Sequence, residues 1–192
     1  IGMGTYTLTT DMDYRALIVG MRSTSGGNMN AETVLVTIPE GYTVMETIEL
    51  LAKNNVSSKE DLLDAAKNFN FKYDFIDNDS EDITRLEGYL FPDTYEFYVH
   101  GKASSALNKL ISNFNNKLTE DMVDQAAEKS GRKLDLNKIV TIASLIEKET
   151  DGKDHDKIAS VIYNRLYGEG DRGGTYGLLQ IDAALLYALP DH

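Results

Sequence analysis

Residues 136–150 read LNKIVTIASLIEKET, and this stretch sets the expected fold of the second half of the chain. Asp135 precedes it as a helix N-cap, and neither Gly nor Pro interrupts it, so the pattern predicts a single helix. At about 100° per residue, its apolar side chains form one broad buried arc. They are Ile139, Val140, Ile142, Ala143, Leu145 and Ile146.

Two glutamates break this apolar pattern. Glu147 falls beside Val140 and Ala143 at helical spacing, on a flank of the arc, and Glu149 also falls on a flank. A carboxylate against apolar neighbours is desolvated, which raises its pKa, as a proton-donating catalyst requires. The two glutamates lie about 200° apart around the helix, so they cannot both point into one cleft. For either, the alternative is a solvated flank or an ion pair with Lys148.

Composition limits the classes of function. The chain has 192 residues, 42% of them hydrophobic, which suits one medium domain or a small module joined to a larger one. Its net charge of −12 argues against nucleic acid and anionic lipid surfaces, because no basic stripe can neutralise phosphates. The negative charge does not exclude a neutral or polar polysaccharide as the ligand. The absence of cysteine excludes disulfides, thiolate catalysis and Cys-ligated metals.

The first half of the chain alternates short strands and helices. The order strand, turn, helix occurs at residues 5–21 and again at 34–53, which is a weak indication of a small sugar-binding-like βα module. Two capping boxes predict where the following helices begin. They are Thr43 with Glu46, for a helix to about residue 54, and Ser57 with Glu60, for a helix at 59–68. Further helices are predicted at about 104–118, 119–130, 154–167 and 183–189.

Residues 86–98, LEGYLFPDTYEFY, are dense in aromatic side chains. Pro92 and Asp93 mark a turn, and residues 94–99 are predicted to form a short strand. Rings beside carboxylates suit a carbohydrate cleft, because sugar CH faces stack on rings while hydroxyls bond to carboxylates. The competing interpretation is a packed core hairpin, which the residue pattern alone favours.

Several other catalytic patterns are absent from the sequence. The three histidines lack the helical spacing of paired metal ligands. There is no Gly-x-Ser-x-Gly elbow, and the glycine-rich residues 168–177 lack the Lys-Ser/Thr of a phosphate-binding loop. No metal is therefore expected, and carboxylate chemistry remains. The candidate carboxylates are Glu87, Asp93, Glu147, Glu149 and Asp182.

Five phrases of the sequence, in this order, resemble one family. They are VTIPEG at 36–41, LEGYLFPDTY at 86–95, ASLIEKET at 143–150, ASVIYNRL at 159–166 and LQID at 179–182. Together they resemble the YceG-like family, the MltG-type endolytic murein transglycosylases of the bacterial cell envelope. Some members carry the name aminodeoxychorismate lyase, which implies pyridoxal phosphate. No lysine here stands in a Schiff-base setting, and no phosphate-binding loop is present, so no cofactor is expected.

The chain departs from the family pattern in two places. After LQID the family usually continues Pro-Thr, where this chain has Ala183 and Ala184. The loop at 167–177 is also longer and richer in glycine than in the family.

The resemblance implies cleavage between N-acetylmuramic acid and N-acetylglucosamine within peptidoglycan, without water as the nucleophile. It implies that Glu147 protonates the glycosidic oxygen and then, as a base, deprotonates the muramyl C6 hydroxyl. That hydroxyl attacks C1 and leaves a 1,6-anhydro end. In this scheme the sugar's acetamido group replaces the second carboxylate of a glycoside hydrolase.

The resemblance also suggests roles for other residues. Glu87 is expected to face Glu147 across the cleft, as an orienting or sugar-binding group, unless it caps a helix or turn. Glu149 is expected to be structural, in an ion pair with Arg165, while Asn164 and Arg165 fix their helix against the cleft wall. The remaining expected substrate-binding residues are Tyr89, Asp93, Tyr95 and Gln180, of which the first three alternatively support the cleft.

We therefore expect an α+β fold, with a LysM-like βα module at residues 1–41 and a mostly helical catalytic domain with a short β-sheet at 42–192. The family implies a membrane anchor outside this sequence, a catalytic domain on the outer face of the cell membrane and a further segment that completes it. Peptidoglycan glycan strands are the expected partner, and cell-wall synthases remain candidates. The alternative is a peptidoglycan-binding module without catalysis.

Overall fold

The computed structural model describes residues 32–130, 134–150 and 152–189. Within these ranges the chain forms two strands, seven α-helices and one 3₁₀ turn, which confirms the α+β class. The predicted strand and helix at 5–21 lie outside the described residues, so the LysM-like module and the division at residue 41 stay predictions. The elements are β1 Thr33–Thr37, α1 Val44–Lys53, α2 Lys59–Asn68, the 3₁₀ turn Ile83–Leu86, β2 Thr94–Tyr98, α3 Ala103–Lys117, α4 Glu120–Ser130, α5 Leu136–Glu149, α6 His155–Tyr167 and α7 Asp182–Ala188.

The two strands form an antiparallel pair in which Val36 lies opposite Tyr95. Val36, Tyr95 and Phe97 are buried while their neighbours in sequence are exposed or partly exposed. This alternation turns one face of the sheet toward the helices, because successive side chains of a strand point to opposite faces. The sheet thereby ties the residues before position 41 to those around position 95.

The larger core lies between this sheet and helices α1, α2 and α3. Tyr89 is only 3% exposed, and its ring lies 5.1 Å from Phe75 and 5.3 Å from Phe114, centroid to centroid. The core interpretation of residues 86–98 is therefore confirmed for Tyr89, Tyr95 and Phe97. The large apolar side chains of this core that are almost fully buried are Val44, Ile48, Leu51, Val56, Leu62, Phe71, Leu86, Leu107, Leu110 and Ile111.

Arg85 is buried and fixes the 3₁₀ turn to the end of α2. Its Nε donates to the carbonyl of Ala66 at 2.7 Å, and its Nη2 donates to the carbonyl of Phe69 at 2.7 Å. Its Nη1 donates to Asn78 Oδ1 at 3.2 Å. These bonds satisfy the guanidinium and two carbonyls at the C-terminus of α2, and they hold the following residue pair, Glu87 and Gly88, in place.

A smaller second core joins α5, α6 and the segment that leads into α7. Its buried residues are Ile142, Ile162 and Ile181, packed against partly buried Leu145 and Ile146 among others. The link to the larger core runs through Val140, which packs against it from α5. None of the helices in the described ranges is both long and apolar enough to cross a membrane.

The capping predictions divide into one that is confirmed and one that is wrong. At α1, Thr43 N donates to Glu46 Oε2 at 2.7 Å and Glu46 N donates to Thr43 Oγ1 at 3.2 Å, which completes the capping box. At α2 the cap is Ser58, whose Oγ accepts from Asp61 N at 3.0 Å. Ser57 is buried, so the capping residue lies one position later than predicted, whereas the helix keeps its predicted bounds of 59–68.

Candidate active site

Helix α5 carries Glu147 to the turn that precedes α1. The helix starts at its predicted cap, where Lys138 N donates to Asp135 Oδ1 at 2.9 Å. A side chain seven residues after Val140 lies on the same helix face, two turns further on, and that residue is Glu147. A Cβ built on Gly41 would lie 3.8 Å from Glu147 Cγ and from Glu147 Oε1. Glu147 therefore lies against the backbone of the Gly41 turn.

The prediction that Glu147 lies against buried apolar side chains is wrong. The side chain is exposed, and Ala143, one turn earlier on the same side, is exposed as well. The buried side of α5 is narrower than the six-residue arc predicted from its sequence, and in the helix only Ile142 is fully buried. The carboxylate is thus available to a ligand from solvent, and the described chain does not desolvate it.

Glu87 lies at the start of α1, where Val44 is three residues after Gly41. Its carboxylate accepts from Val44 N, at 3.1 Å for Oε1 and 3.2 Å for Oε2, and so caps the first turn of α1. The helix-cap alternative for Glu87 therefore occurs in the structure. Burial raises the pKa of Glu87, against the opposing effects of the Val44 N–H, the nearby Tyr187 hydroxyl and the charge of Lys148. The charge of Glu46 raises it further.

Tyr187 on α7 completes this group and was not among the residues that the sequence predicted. Its side chain is 58% exposed, and partial burial, followed by the charge of nearby Glu87, raises the pKa of Tyr187 to about 12. The hydroxyl therefore stays protonated and acts as a donor near neutral pH. No periodicity or spacing in the sequence indicates that α7 folds back toward residue 87.

Lys148 supplies the positive charge of the site. A Cβ at Gly41 would lie 3.8 Å from its Nζ, and its charge lowers the pKa values of both Glu46 and Glu87. We call Glu46, Glu87, Glu147, Lys148 and Tyr187 the carboxylate cluster. In the part of the chain that the structure describes, no group of three or more acidic or histidine side chains has an arrangement that would hold a metal ion.

The predicted residues of the aromatic phrase lie elsewhere. Tyr95 is buried, and its hydroxyl donates to the carbonyl of Phe91 at 2.6 Å and accepts from Asn113 Nδ2 at 2.9 Å. Asp93 accepts from Thr94 N at 2.8 Å and from Asn113 Nδ2 at 3.1 Å, and these bonds lower its pKa. Both line an open groove of about 560 Å³ beside α3, and Glu147 is not among its lining residues.

The predicted ion pair between Glu149 and Arg165 is wrong. Arg165 Nη1 donates instead to the carbonyls of Leu179 at 2.5 Å and Gln180 at 3.4 Å, and no ion pair joins it to Glu149 among the described residues. These bonds fix the Arg165 side chain to the segment before α7. Arg165 thereby holds Gln180, an exposed residue at a φ of +49°. The side chain of Asn164 is exposed, while its carbonyl accepts from Gly168 N at the end of α6.

Comparison with known proteins matches this arrangement to one family. The model of the YceG-like family matches residues 1–192. Over 200 residues the chain is 32% identical to an endolytic murein transglycosylase of Bacillus subtilis, covering 98% of this chain and 52% of that protein. Over 206 residues it is 31% identical to an endolytic murein transglycosylase of Streptococcus pneumoniae, covering 96% of this chain and 35% of that protein. The chain thus spans about half the length of these relatives, or less.

A solved structure agrees with this match. The crystal structure of a YceG-like protein from Listeria monocytogenes superposes with a TM-score of 0.62 at 25% sequence identity, covering 97% of this chain and 61% of that one. The match of the family model over every residue, with these two relatives above 30% identity, decides the assignment. This chain belongs to the YceG-like family.

Proposed function

We propose that the chain carries the acid–base centre of an endolytic lytic transglycosylase that cleaves peptidoglycan glycan strands, with Glu147 as the catalytic residue. The observation that carries this proposal is the position of Glu147: an exposed carboxylate against the Gly41 turn, inside the carboxylate cluster. The relatives from Bacillus subtilis and Streptococcus pneumoniae, which are named endolytic murein transglycosylases, support the same activity.

The proposed reaction uses one carboxylate twice. Glu147, protonated, gives its proton to the oxygen between N-acetylmuramic acid and N-acetylglucosamine, and the C1–O bond breaks. The acetamido group of the muramyl sugar stabilises the positive charge that develops at C1. Glu147 then takes the proton of the muramyl C6 hydroxyl, whose oxygen bonds to C1. The products are a 1,6-anhydromuramyl end and a free 4-hydroxyl, and the enzyme regains its proton.

The state of Glu87 supports a scheme without a second carboxylate. Hydrolysis by the usual route needs two carboxyl groups that are free to act, one as acid and the other as base or nucleophile. Glu87 is the half-buried neighbour that would fill the second role, but its carboxylate already accepts hydrogen bonds from Val44 N. Because Glu147 is exposed here, we assign the exclusion of water that favours proton transfer to the bound glycan together with the further segment that the family implies.

The proposal extends to location and partners. We infer a catalytic domain on the outer face of the cell membrane, an anchor encoded outside this sequence, and nascent glycan strands as the substrate. Cell-wall synthases are the protein partners that such a position favours. A LysM-like module in residues 1–41 would suit the same polymer.

The test is digestion of purified, uncrosslinked glycan strands with the full-length protein, and the products are read by mass spectrometry. The wild type and Glu149→Gln are expected to release 1,6-anhydromuramyl ends, and Glu147→Gln is expected to release none. Glu149→Gln is the matched control because it makes the same chemical change on an exposed side chain of the same helix end. Products with reducing ends would show that the protein hydrolyses the strands and would contradict the lytic reaction. Retention of strands without cleavage would favour the peptidoglycan-binding alternative.

A further inference from the structure

Helix α3 differs in composition from the other α-helices of the described chain. The protein has 31 acidic side chains, and each of those other helices carries at least one, but residues 103–117 carry none. The same 15 residues include four asparagines and three serines. These are poor helix formers, because their side chains compete for backbone hydrogen bonds. Helix formation therefore does not explain this composition.

Polar side chains of α3 form one wall of the open groove of about 560 Å³ that Asp93 and Tyr95 also line, which we call the α3 groove. At about 100° per residue they fall within an arc of about 140°, on the side of the helix opposite the buried Leu107 and Leu110. The residues of α3 that line the groove are Ser105, Asn108, Lys109, Ser112, Asn113 and Asn116.

Hydrogen bonds within the protein fix the centre of the α3 groove. Asn113 Nδ2 donates to the Tyr95 hydroxyl at 2.9 Å and to Asp93 Oδ2 at 3.1 Å. The Tyr95 hydroxyl donates in turn to the carbonyl of Phe91 at 2.6 Å. Because both amide hydrogens of Asn113 are used, its Oδ1 is left as an acceptor for a ligand.

The charged residue of the α3 stripe is held against β2. Lys109 Nζ donates to the carbonyl of Glu96 at 2.5 Å and lies 5.5 Å from the centroid of the Phe97 ring. The stripe therefore presents mainly uncharged amides and hydroxyls, and its composition suits a neutral polar ligand.

Several of these polar groups are available to such a ligand. No hydrogen bond joins the side chain of Asn108, Ser112 or Asn116 to another residue that the structure describes. Ser144 and Ser160, on α5 and α6, instead donate their hydroxyls to carbonyls of the preceding turn at 2.8 Å. The polar side chains of α3 thus keep hydrogen-bonding capacity that other helices of this chain use internally.

We propose that the α3 groove is a second binding site for the glycan strand, separate from Glu147, and that it takes neutral N-acetylated sugars. An acetamido group has one N–H donor and one carbonyl acceptor, and a side-chain amide supplies the complementary acceptor and donor. Sugar hydroxyls bond to the remaining amides, to the serine hydroxyls and to the carboxylate of Asp93. This inference rests on the glycan-strand substrate proposed above.

The α3 groove lies close to the turn that Glu147 contacts. The carbonyl of Asp93 accepts from Ile38 N at 2.9 Å, and the three residues from Ile38 to Gly41 span at most about 11 Å. A few linked sugars cover that distance. The aromatic residue of the groove, Tyr95, is buried and offers no ring face for stacking, so we expect weak binding. The groove then matters for strands long enough to occupy both sites at once.

The first experiment measures binding without catalysis. The full-length protein is titrated with a soluble oligomer of N-acetylglucosamine while the side-chain amide signals of asparagine are followed by NMR. The signals of Asn108, Asn113 and Asn116, each assigned by its absence in the corresponding alanine variant, are expected to shift. The double variant Asn108→Ala/Asn116→Ala should bind the oligomer about tenfold more weakly, since two hydrogen bonds are lost.

Asn115→Ala is the matched control. Asn115 is exposed on the same helix but is not among the residues that line the α3 groove, so binding should stay at the wild-type level. Each of these substitutions replaces a poor helix former by alanine, so a loss of binding does not come from a less stable helix. Unmoved signals of Asn108 and Asn116, or an equal loss of binding in Asn115→Ala, would overturn the proposed site.

Kinetics on two substrates provide the second experiment. On long glycan strands we expect the KM of Asn108→Ala/Asn116→Ala to rise about tenfold with kcat unchanged, and on tetrasaccharide fragments we expect neither to change. A fall in kcat on both substrates would contradict a separate binding site. A wild type that releases no anhydro ends, beside asparagine signals that do shift, would overturn the lytic function and leave the α3 groove established.

Discussion

Gly88 lies so close to Val140 that a Cβ on the glycine would overlap Val140 Cγ1. This approach is where α5 crosses the turn that carries Glu87. The close approach therefore brings α5, the helix that carries Glu147 and Lys148, next to the turn of Glu87. Gly88 also has a φ of +80°, a backbone conformation that residues with a Cβ rarely adopt. Two independent physical reasons thus require glycine at this position.

Substitution of Gly88 by alanine should separate these two reasons. We expect Gly88→Ala to lower the free energy of unfolding by about 3 kcal/mol, from backbone strain together with overpacking. Gly170→Ala is the matched control, since Gly170 has a φ of +69° but open space around its Cα, and should cost about 1 kcal/mol. Urea denaturation measures both. Adding Val140→Ala should recover part of the loss in Gly88→Ala, and the absence of any recovery would contradict the steric explanation.

Glu87 should make stability depend on pH with a predictable sign. Its folded-state pKa is raised, so the ionised group costs stability once the pH exceeds that pKa and costs nothing below the unfolded-state value of about 4.3. The difference in Tm between Glu87→Gln and the wild type should therefore be close to zero at about pH 3.5 and should grow positive toward pH 7. Thermal denaturation over this range measures it.

Glu46 provides the opposite control within the same turn. The Thr43 N–H lowers its pKa, so the ionised form stabilises the folded chain above the unfolded pKa and loses that effect as the pH falls through the lowered value. Glu46→Gln should therefore lower the Tm at pH 7 and not at low pH. The same slope for both variants would show that the pH dependence comes from net charge and not from these two local environments.

Arg85 is expected to be the polar residue on which the first core depends most. Arg85→Met would leave the carbonyls of Ala66 and Phe69 without the donors that lie 2.7 Å away, so we expect a loss of about 3 kcal/mol in the free energy of unfolding. Lys72→Met, at an exposed position nearby in sequence, should change stability by less than about 0.5 kcal/mol. Equal effects of the two substitutions would contradict a buried hydrogen-bonding role for Arg85.

Local signals in the sequence account for most of the helices. Residues 59–68 and 136–149 fold as predicted because capping side chains and apolar periodicity act within a few residues of each helix end. The error at Ser57 arises because two adjacent serines can both cap, and burial of one of them decides which does. That burial depends on the packing of Ser57 against distant parts of the chain.

The sequence predicted only those site residues that stand in a motif of the family. Glu147 and Glu87 stand in phrases of the YceG-like family, while Tyr187 stands outside them and meets Glu87 a hundred positions away in the chain. Contacts of that range depend on how the second core packs against the first, which no local pattern encodes. The same cause explains why Asp93 and Tyr95, near Glu87 in sequence, line a different groove.

Lys148 should control the cluster through charge alone, and salt should reveal it. Its ammonium lowers the pKa of Glu87, so Lys148→Gln should raise that pKa, which carbon NMR titration of the Glu87 carboxyl group measures, and should shift the acidic limb of activity to higher pH. Because Lys148 is exposed, its effect should fade at high ionic strength, where the Debye length falls to about 3 Å at 1 M. Lys153→Gln, exposed just beyond α5, is the control and should leave the NMR titration of Glu87 unchanged. A shift in Lys148→Gln that survives 1 M salt would mean that Lys148 acts by contact, and would contradict a through-space role.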